Sequence, residues 1–403
     1  MTTKRRIAVL FGGRSPEHDV SVVTGLQALA AVDASAYDAF PVYISTDGDW
    51  FVGEPLRDRA NYLPDDYTRR ALTEVMLDSS GDGDGRLVPK KSGLFGRGTA
   101  TEFDAALLAF HGNQGEDGQI QGLFEMADIP YTGMRTLASA AFMDKSVTKR
   151  LLAGHDIPQL DCAVLRRPAE GVMMSGTALA EAVGNAKFPA CVKPCHLGSS
   201  IGVAKVDDME ELREVLPSIF RLDPLAIMEP FVPNLVEYNV AVATFDGAIR
   251  TSAIERPKRS AELLDFKEKY MSGGGGKKGG GKAPGAVSEG MLSLTRDINP
   301  ELPADLEANI RNWAGEAFAA VGGIGAPRID FLGDAETGEI WLNEVNPCPG
   351  SFGYFLWEAA DPPMLFTELL THLIEEAVSE FRHLRLPADP TPKDARLFKR
   401  PYE

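Results

Sequence analysis

The chain has 403 residues, too many for one ordinary hydrophobic core and enough for two or three domains. Hydrophobic residues make up 44% and charged residues 25%, globular values that exclude wholesale disorder. Lys and Arg total 41 against 58 Asp and Glu, and the net charge of −17 argues against nucleic acid or an anionic membrane as partner.

In chain order, Ile7–Phe11 reads as a buried strand, Gly12–Pro16 as a tight loop, and Glu17 to Ala31 as a helix. Strand, glycine turn and helix in that order open a doubly wound α/β domain. Residues 53–103 are polar, with a turn cluster at Gly81-Asp82-Gly83-Asp84-Gly85, and read as a loop-rich insertion. Ala105–Phe110 is the next buried strand, followed by the glycine-rich run His111–Gly118. Phe188–Lys193 reads as a strand broken by Pro194, Leu197–Gly202 as a Gly/Ser loop, and Leu225–Glu229 as a strand before a break at Pro230 and Pro233. Glu237–Thr244 and Ala248–Glu255 pair about a turn at Asp246-Gly247. Met271–Pro284 holds seven glycines and reads as a flap, since that composition builds no core. A helix at 305–321, strands at Pro327–Leu332 and Glu339–Val345, and a helix at Met364–Phe381 complete the pattern. The expected class is α/β, with an N-terminal domain at 1–133, a central domain at 134–229, a C-terminal α+β domain at 230–386 and a tail at 387–403.

Cys162, Cys191, Cys195 and Cys348 are too few and scattered for a disulfide framework, so a reducing, cytoplasmic compartment is expected. Cys191-x-x-x-Cys195-His196 lacks a second ligand pair at zinc spacing and reads as buried thiols. Ile7–Phe11 is too short for a signal peptide, and no stretch reaches membrane-spanning length.

Arg328-x-Asp330 and Glu344-x-Asn346 carry the strongest chemical signal. Side chains two apart on a strand share a face, so antiparallel pairing brings Asp330, Glu344 and Asn346 together as an all-oxygen set suited to Mg²⁺. Arg328 beside them offsets charge on a phosphoryl group or an oxyanion. Strict alternation places Asn343 on the opposite face. Lys193 ends an apolar strand before Gly198-Ser199-Ser200-Ile201-Gly202, whose small residues let backbone amides approach phosphate. Gly276-x₄-Gly281-Lys282 imitates a P-loop, but Ala283 stands at the Ser/Thr position and no strand precedes it. Gly12-Gly13 lacks the dinucleotide fingerprint. Spacing leaves Glu116 and Asp117 unassigned, and Glu17 reads equally as a helix cap or as a carboxylate for a substrate ammonium.

Together these segments resemble the D-alanine–D-alanine ligase family of the ATP-grasp superfamily. The resemblance rests on Phe11-Gly-Gly-Arg-Ser-Pro-Glu-His18, His111-Gly-Asn-Gln-Gly-Glu-Asp-Gly118, Gln121-Gly-Leu123, Ile129-Pro-Tyr-Thr-Gly133 and Met143-Asp-Lys145. It continues through Val192-Lys-Pro194, Gly198-Ser-Ser-Ile-Gly202, Arg328-Ile-Asp-Phe331 and Asn343-Glu-Val-Asn346 in family order. It implies an ATP-grasp fold whose central domain is a lid, and a carboxylate–amine ligase that forms a dipeptide through an acyl phosphate for cell-wall peptidoglycan. By the same resemblance Lys145 and Lys193 contact ATP phosphates, Lys269 the γ-phosphate, Glu229 and Glu237 the adenine and ribose ends, with Asn343 in the nucleotide set. Asp330, Glu344 and Asn346 hold two Mg²⁺ ions, with Mn²⁺ as a substitute. Glu17, Ser199, Tyr270 and His111 surround the first amino acid, D-alanine, and Arg328 with the backbone near Gly350 forms the oxyanion site. A homodimer is implied.

The chain departs from the family after Asn346, in Pro347-Cys-Pro-Gly-Ser-Phe-Gly-Tyr-Phe-Leu-Trp357. Phe355 stands where the family places a serine that holds the second substrate's carboxylate, with Ser351 or a backbone amide as the substitute. A different acceptor is therefore the alternative to D-alanine. A non-catalytic ATP-binding protein is disfavoured, because Glu17, Lys193, Lys269, Arg328 and the metal set occur together.

Overall fold

A computed structural model describes residues 4–62, 71–80, 84–93, 96–97, 99–198, 200–258, 296–384 and 395. Strand β1 (Arg5–Gly12) is an inner strand of the N-terminal sheet, parallel to β2 (Tyr37–Ile44) on one side and to the edge strand β9 (Ala105–Leu108) on the other. Its unbroken apolar run follows from burial on both faces. Ile7, Val9 and Phe11 pack toward helix α1 (His18–Ala31) and the last helix, whereas Ala8 and Leu10 join Phe124 of α2 (Gln119–Met126).

The segment expected as an insertion is corrected by the structure. Beyond β3 (Trp50–Val52), which precedes it, its strands β4 (Thr73–Leu77), β5 (Gly85–Pro89) and β8 (Thr101–Phe103) extend the same sheet antiparallel, in the order β8-β5-β4-β3-β2-β1-β9. A small ribbon of β6 (Ser92–Gly93) and β7 (Gly96–Arg97) lies between them in the chain. Val75, Leu87 and Phe103 face the core while Glu74, Arg86 and Glu102 face outward. Short strands with one wet face look polar in sequence, which is why the segment read as loop. Residues 81–83 of its turn cluster lie outside the described residues.

The second sheet is antiparallel, with β10 (Ala163–Arg166), β13 (Leu225–Pro230), β11 (Ala190–Pro194) and β12 (Ala204–Val206) in that spatial order. Two helices cover one face. These are α5 (Gly176–Val183) and α6 (Met209–Leu222). Leu212, Leu216, Ile219 and Phe220 form the buried stripe of α6, and Asp208 caps it by accepting from the amides of Glu210 and Glu211.

The third sheet carries most of the expected site. It runs β16 (Arg296–Ile298), β15 (Ala248–Pro257), β14 (Leu235–Phe245), β17 (Arg328–Asp334) and β18 (Ile340–Asn346), with antiparallel neighbours throughout. One face packs on α3 (Thr136–Met143), α4 (Lys145–Leu152) and α7 (Ala304–Ala319). After β18 the chain forms α8 (Tyr354–Glu358), whose Trp357 is fully buried against Phe245, and then α9 (Phe366–Leu384). Helix α9 returns to the N-terminal sheet, where Glu375 pairs with Arg5 and accepts from the Tyr37 hydroxyl at 2.7 Å. The expected flap at Met271–Pro284 lies outside the described residues, as does the 387–403 tail save residue 395.

Candidate active site

The β17–β18 hairpin sets Asp330 opposite Glu344 and Arg328 opposite Asn346. Asp330 is held by Arg328 in a two-pronged contact, Nε to Oδ1 at 2.7 Å and Nη2 to Oδ2 at 2.6 Å, and by the Asn346 amide at 2.8 Å. The register slips past Asp330, because Phe331 faces Leu342. Asn343 is thus the extra residue of a β-bulge, and the bulge turns its side chain into the cleft beside Glu344. Strict alternation had placed it on the opposite face, and that reading is corrected.

Two lysines face this hairpin, one from the second sheet and one from a helix start. Lys193, at the end of β11, donates to Asn343 Oδ1 at 2.7 Å and pairs with Glu229 at 2.8 Å. Lys145, the first residue of α4, pairs with Glu344 at 3.0 Å and donates to the Leu197 carbonyl at 2.8 Å. Burial works against the Glu344 charge, but Lys145 and Lys193 hold the carboxyl below its ordinary value. Burial also opposes the Lys193 and Arg328 charges, and Glu229 and Asp330 respectively raise them above the usual range. Glu229 is 3% exposed and spends both oxygens on Lys149 and Lys193. Expected at the adenine end, it sits behind Lys193 as its counter-ion.

Between the sheets lies a cleft of about 390 Å³ lined by Glu17, His111, Lys145, Lys193, Glu237, Arg328, Asp330, Asn343, Glu344, Asn346 and Gly350, among others. Glu237 sits one strand inward, opposite Leu332. No group of three or more His, Cys, Asp or Glu side chains placed to hold a metal occurs among the described residues. Asp330, Glu344 and Asn346 instead offer two carboxylates and one amide, a hard-oxygen set that suits a cation keeping water and phosphate oxygens in its remaining positions.

The other end of the cleft belongs to the N-terminal sheet. Glu17 stands just before α1, and Gly112, at φ +69° in the left-handed region that favours glycine, brings the His111 loop close to its Oε2. His111 is buried. Its Nδ1 donates to the Cys348 carbonyl at 2.8 Å, and its Nε2 accepts from the Thr24 hydroxyl at 2.7 Å, which itself accepts from the Ser351 amide. Burial pushes the imidazole down to about 4, so it is neutral. Glu116, unassigned by spacing, accepts from the amides of Gly112 at 2.7 Å and Cys348 at 2.8 Å, and burial pushes it up to about 8. It joins the two ends of the site across 232 positions of chain, a separation at which sequence holds no signal.

Phe355 lies on α8 under the Arg296 guanidinium, 4.7 Å from its ring centre, and the Ser351 hydroxyl is given to Gln27. Arg296 in turn pairs with Glu255 at 2.7 Å. Cys195 is buried and His196 binds two aspartates, an arrangement unlike a zinc site. Ser199, Lys269 and Tyr270 lie outside the described residues.

A lysine on one antiparallel sheet and a lysine at a helix start, facing paired carboxylates, an amide and an arginine on another sheet, define an ATP-grasp enzyme. The chain belongs to the D-alanine–D-alanine ligase family. Residues 6–134 match the family's N-terminal profile, D-ala D-ala ligase N-terminus, and residues 151–375 match the C-terminal one. A D-alanine–D-alanine ligase of Thermosipho africanus is 32% identical over 376 residues, 93% of this chain and 94% of that protein. That of Deinococcus radiodurans is 34% identical over 384 residues, 94% and 99% of the two chains. Among solved structures, the VanG D-Ala:D-Ser ligase from Enterococcus faecalis superposes with a TM-score of 0.72 at 25% identity, covering 93% of this chain and all of the other. The D-alanine–D-alanine ligase of Coxiella burnetii shares the fold at the same TM-score and 23% identity, over 94% and 95% of the two chains.

Proposed function

We propose that this chain uses ATP to activate the carboxylate of D-alanine and joins it to the amine of a second D-alanine, the dipeptide being destined for peptidoglycan. The observation that carries the reading is the hairpin register, which sets Asp330, Glu344, Asn343 and Asn346 against Lys145 and Lys193 across one cleft. Family membership and the relatives' names supply the reaction. A carboxylate oxygen of the first substrate attacks the γ-phosphorus, giving an acyl phosphate and ADP. The second amine adds to the acyl carbon, loses a proton, and phosphate leaves as the peptide bond forms.

The residues present fit a divalent cation. Asp330, Glu344 and Asn346 would hold two Mg²⁺ ions, with Mn²⁺ as substitute, and the metal supplies neutralisation of phosphate charge. Lys145, Lys193 and Lys269 bind the nucleotide phosphates, Glu237 the ribose, and Asn343 orients Lys193. Glu229 contributes through the two lysines it holds. Arg328 and the Gly350 amide stabilise the oxyanion of the tetrahedral intermediate, a role that donors fixed in advance perform best. Glu17 takes the first substrate's ammonium, with Ser199 and Tyr270 in support, and the neutral His111 holds the Cys348 loop against that site. Glu344→Gln removes one metal oxygen charge and leaves Lys145 unpaired, and it lowers D-alanine-dependent ADP release at least ~100-fold. Activity within tenfold of wild type would take Glu344 out of the site.

A second reading is favoured by Phe355 lying under Arg296, with the Ser351 hydroxyl already taken by Gln27. There the acceptor is another amino acid or amine. Phe355→Ser then improves kcat/KM for D-alanine as acceptor, and an unchanged value would remove Phe355 from the acceptor site. A cytoplasmic homodimer fits the same reading. Met126 and Leu137, 83% and 80% exposed on α2 and α3, are apolar surface for such an interface, measurable by light scattering. Among the described residues no helix is long and apolar enough to cross a membrane.

A further inference from the structure

His196 lies outside every role given above, yet it is tied to the phosphate end of the cleft from both sides. Its Nε2 meets Asp144 Oδ2 at 3.2 Å and its Nδ1 meets Asp223 Oδ1 at 2.9 Å, while its own amide donates to Asp223 at 2.7 Å. A neutral imidazole has one N–H, so only the imidazolium satisfies both carboxylates as a donor. Each carboxylate is fixed in turn. Asp144 caps α4 by accepting from the amides of Ser146 and Val147, and Asp223 ends α6 and accepts from the Leu225 amide at 2.8 Å. The residue after Asp144 is Lys145, whose amide donates to the Cys195 carbonyl at 3.2 Å and whose ammonium reaches Leu197 and Glu344. The residue after His196 begins the Leu197–Gly202 turn. The far end of that turn is held by close approach, since a Cβ on Gly202 would stand 2.8 Å from Pro194 Cγ.

We propose that His196 is a positioning residue for nucleotide binding: as an imidazolium between Asp144 and Asp223 it locks the N-terminus of α4, and with it Lys145, to the entry of the Leu197–Gly202 turn. The inference rests on the ATP-dependent reading above. Hydrogen bonds to the two aspartates raise the imidazole to about 9, so the lock is charged at neutral pH. Besides Asp144 and Asp223, the charged groups lining the adjoining cavity are Arg14 and Asp117, one of each sign. Lys145 extends the other way, toward Glu344.

The test is calorimetric titration with Mg²⁺ and a non-hydrolysable ATP analogue, without amino acids, from about pH 7 to about pH 10. Wild-type affinity falls as pH passes about 9, where the imidazolium loses its proton. His196→Gln binds about tenfold more weakly at neutral pH and shows no such fall around that value. His196→Arg keeps the charge, restores affinity to within about threefold and stays flat through the same range, which a merely space-filling role would not produce. The arginine variant also serves should the glutamine variant fail to fold. Wild-type affinity in His196→Gln, or the same alkaline fall in all three proteins, would overturn the proposal. A wild-type chain that binds no nucleotide at all would strike the ligase reading itself, and this inference with it.

Discussion

Buried ionisable groups at single positions tie the site together, and His111 is where their effect becomes measurable. Its imidazole is enclosed, donates through Nδ1 to Cys348 and accepts through Nε2 from Thr24. Burial lowers its folded-state pKa to about 4, below the unfolded value, so the unfolded chain binds the extra proton first. The stability from neutral His111 is therefore complete above about pH 6.5 and is lost as pH falls toward 4, an effect on the order of 3 kcal/mol. His111→Gln flattens that part of the stability–pH curve, read by denaturant unfolding at a series of pH values. An unchanged acid slope would show that His111 is not the group titrating. Glu229 makes the complementary case, one carboxylate serving two lysines at 2.6 and 2.8 Å. Its mate Lys193 was legible in sequence because a lysine ended an apolar strand before a small-residue turn. The clamp on it was not, because Lys149 lies on a helix whose packing no local pattern announces.

At the scale of elements, period and punctuation located what was buried. The apolar run of β1, the Asp246-Gly247 hairpin and the β17–β18 pair all stand within a few residues of their expected places. Two elements escaped for physical reasons. The strands between residues 73 and 103 have one solvated face and read as polar, and the bulge at Asn343 depends on how two strands mate rather than on either strand alone. Helix α9 shows how a distant element holds the site's floor. Leu369, Leu370, Leu373 and Ile374 bury fully or nearly so against the face of β1 that bears Ile7 and Val9. Leu373→Ala costs about 2–5 kcal/mol of unfolding free energy by lost transfer and cavity formation. A loss under about 0.5 kcal/mol would mean that α9 is not seated there.

Across the whole molecule, the cleft collects residues from Glu17 to Gly350: the segments that follow β1 and β9, strand β11 of the second sheet, and β14, β17 and β18 of the third. That spread is why the resemblance of scattered motifs pointed to one site, and why residue spacing could not draw it. Glu116 and His111 join the first sheet to the loop after β18, while Lys145 and Lys193 join the second sheet to β18 itself. In the reaction proposed above, these contacts would hold the donor end and the phosphate end at one separation, which phosphoryl transfer to a carboxylate requires. In that proposal the segment around Phe355 bears on acceptor identity and not on carboxylate activation.

The most direct measurement of that activation follows oxygen. D-Alanine labelled with ¹⁸O in both carboxylate positions is incubated with the enzyme, Mg²⁺ and ATP, and the released phosphate is weighed by mass spectrometry. An acyl phosphate carries one carboxylate oxygen away with the phosphoryl group, so one ¹⁸O is expected in each phosphate, formed in step with ADP and dipeptide. Unlabelled phosphate accompanying ADP would mean that water, not the D-alanine carboxylate, takes the phosphoryl group, and that carboxylate activation does not occur.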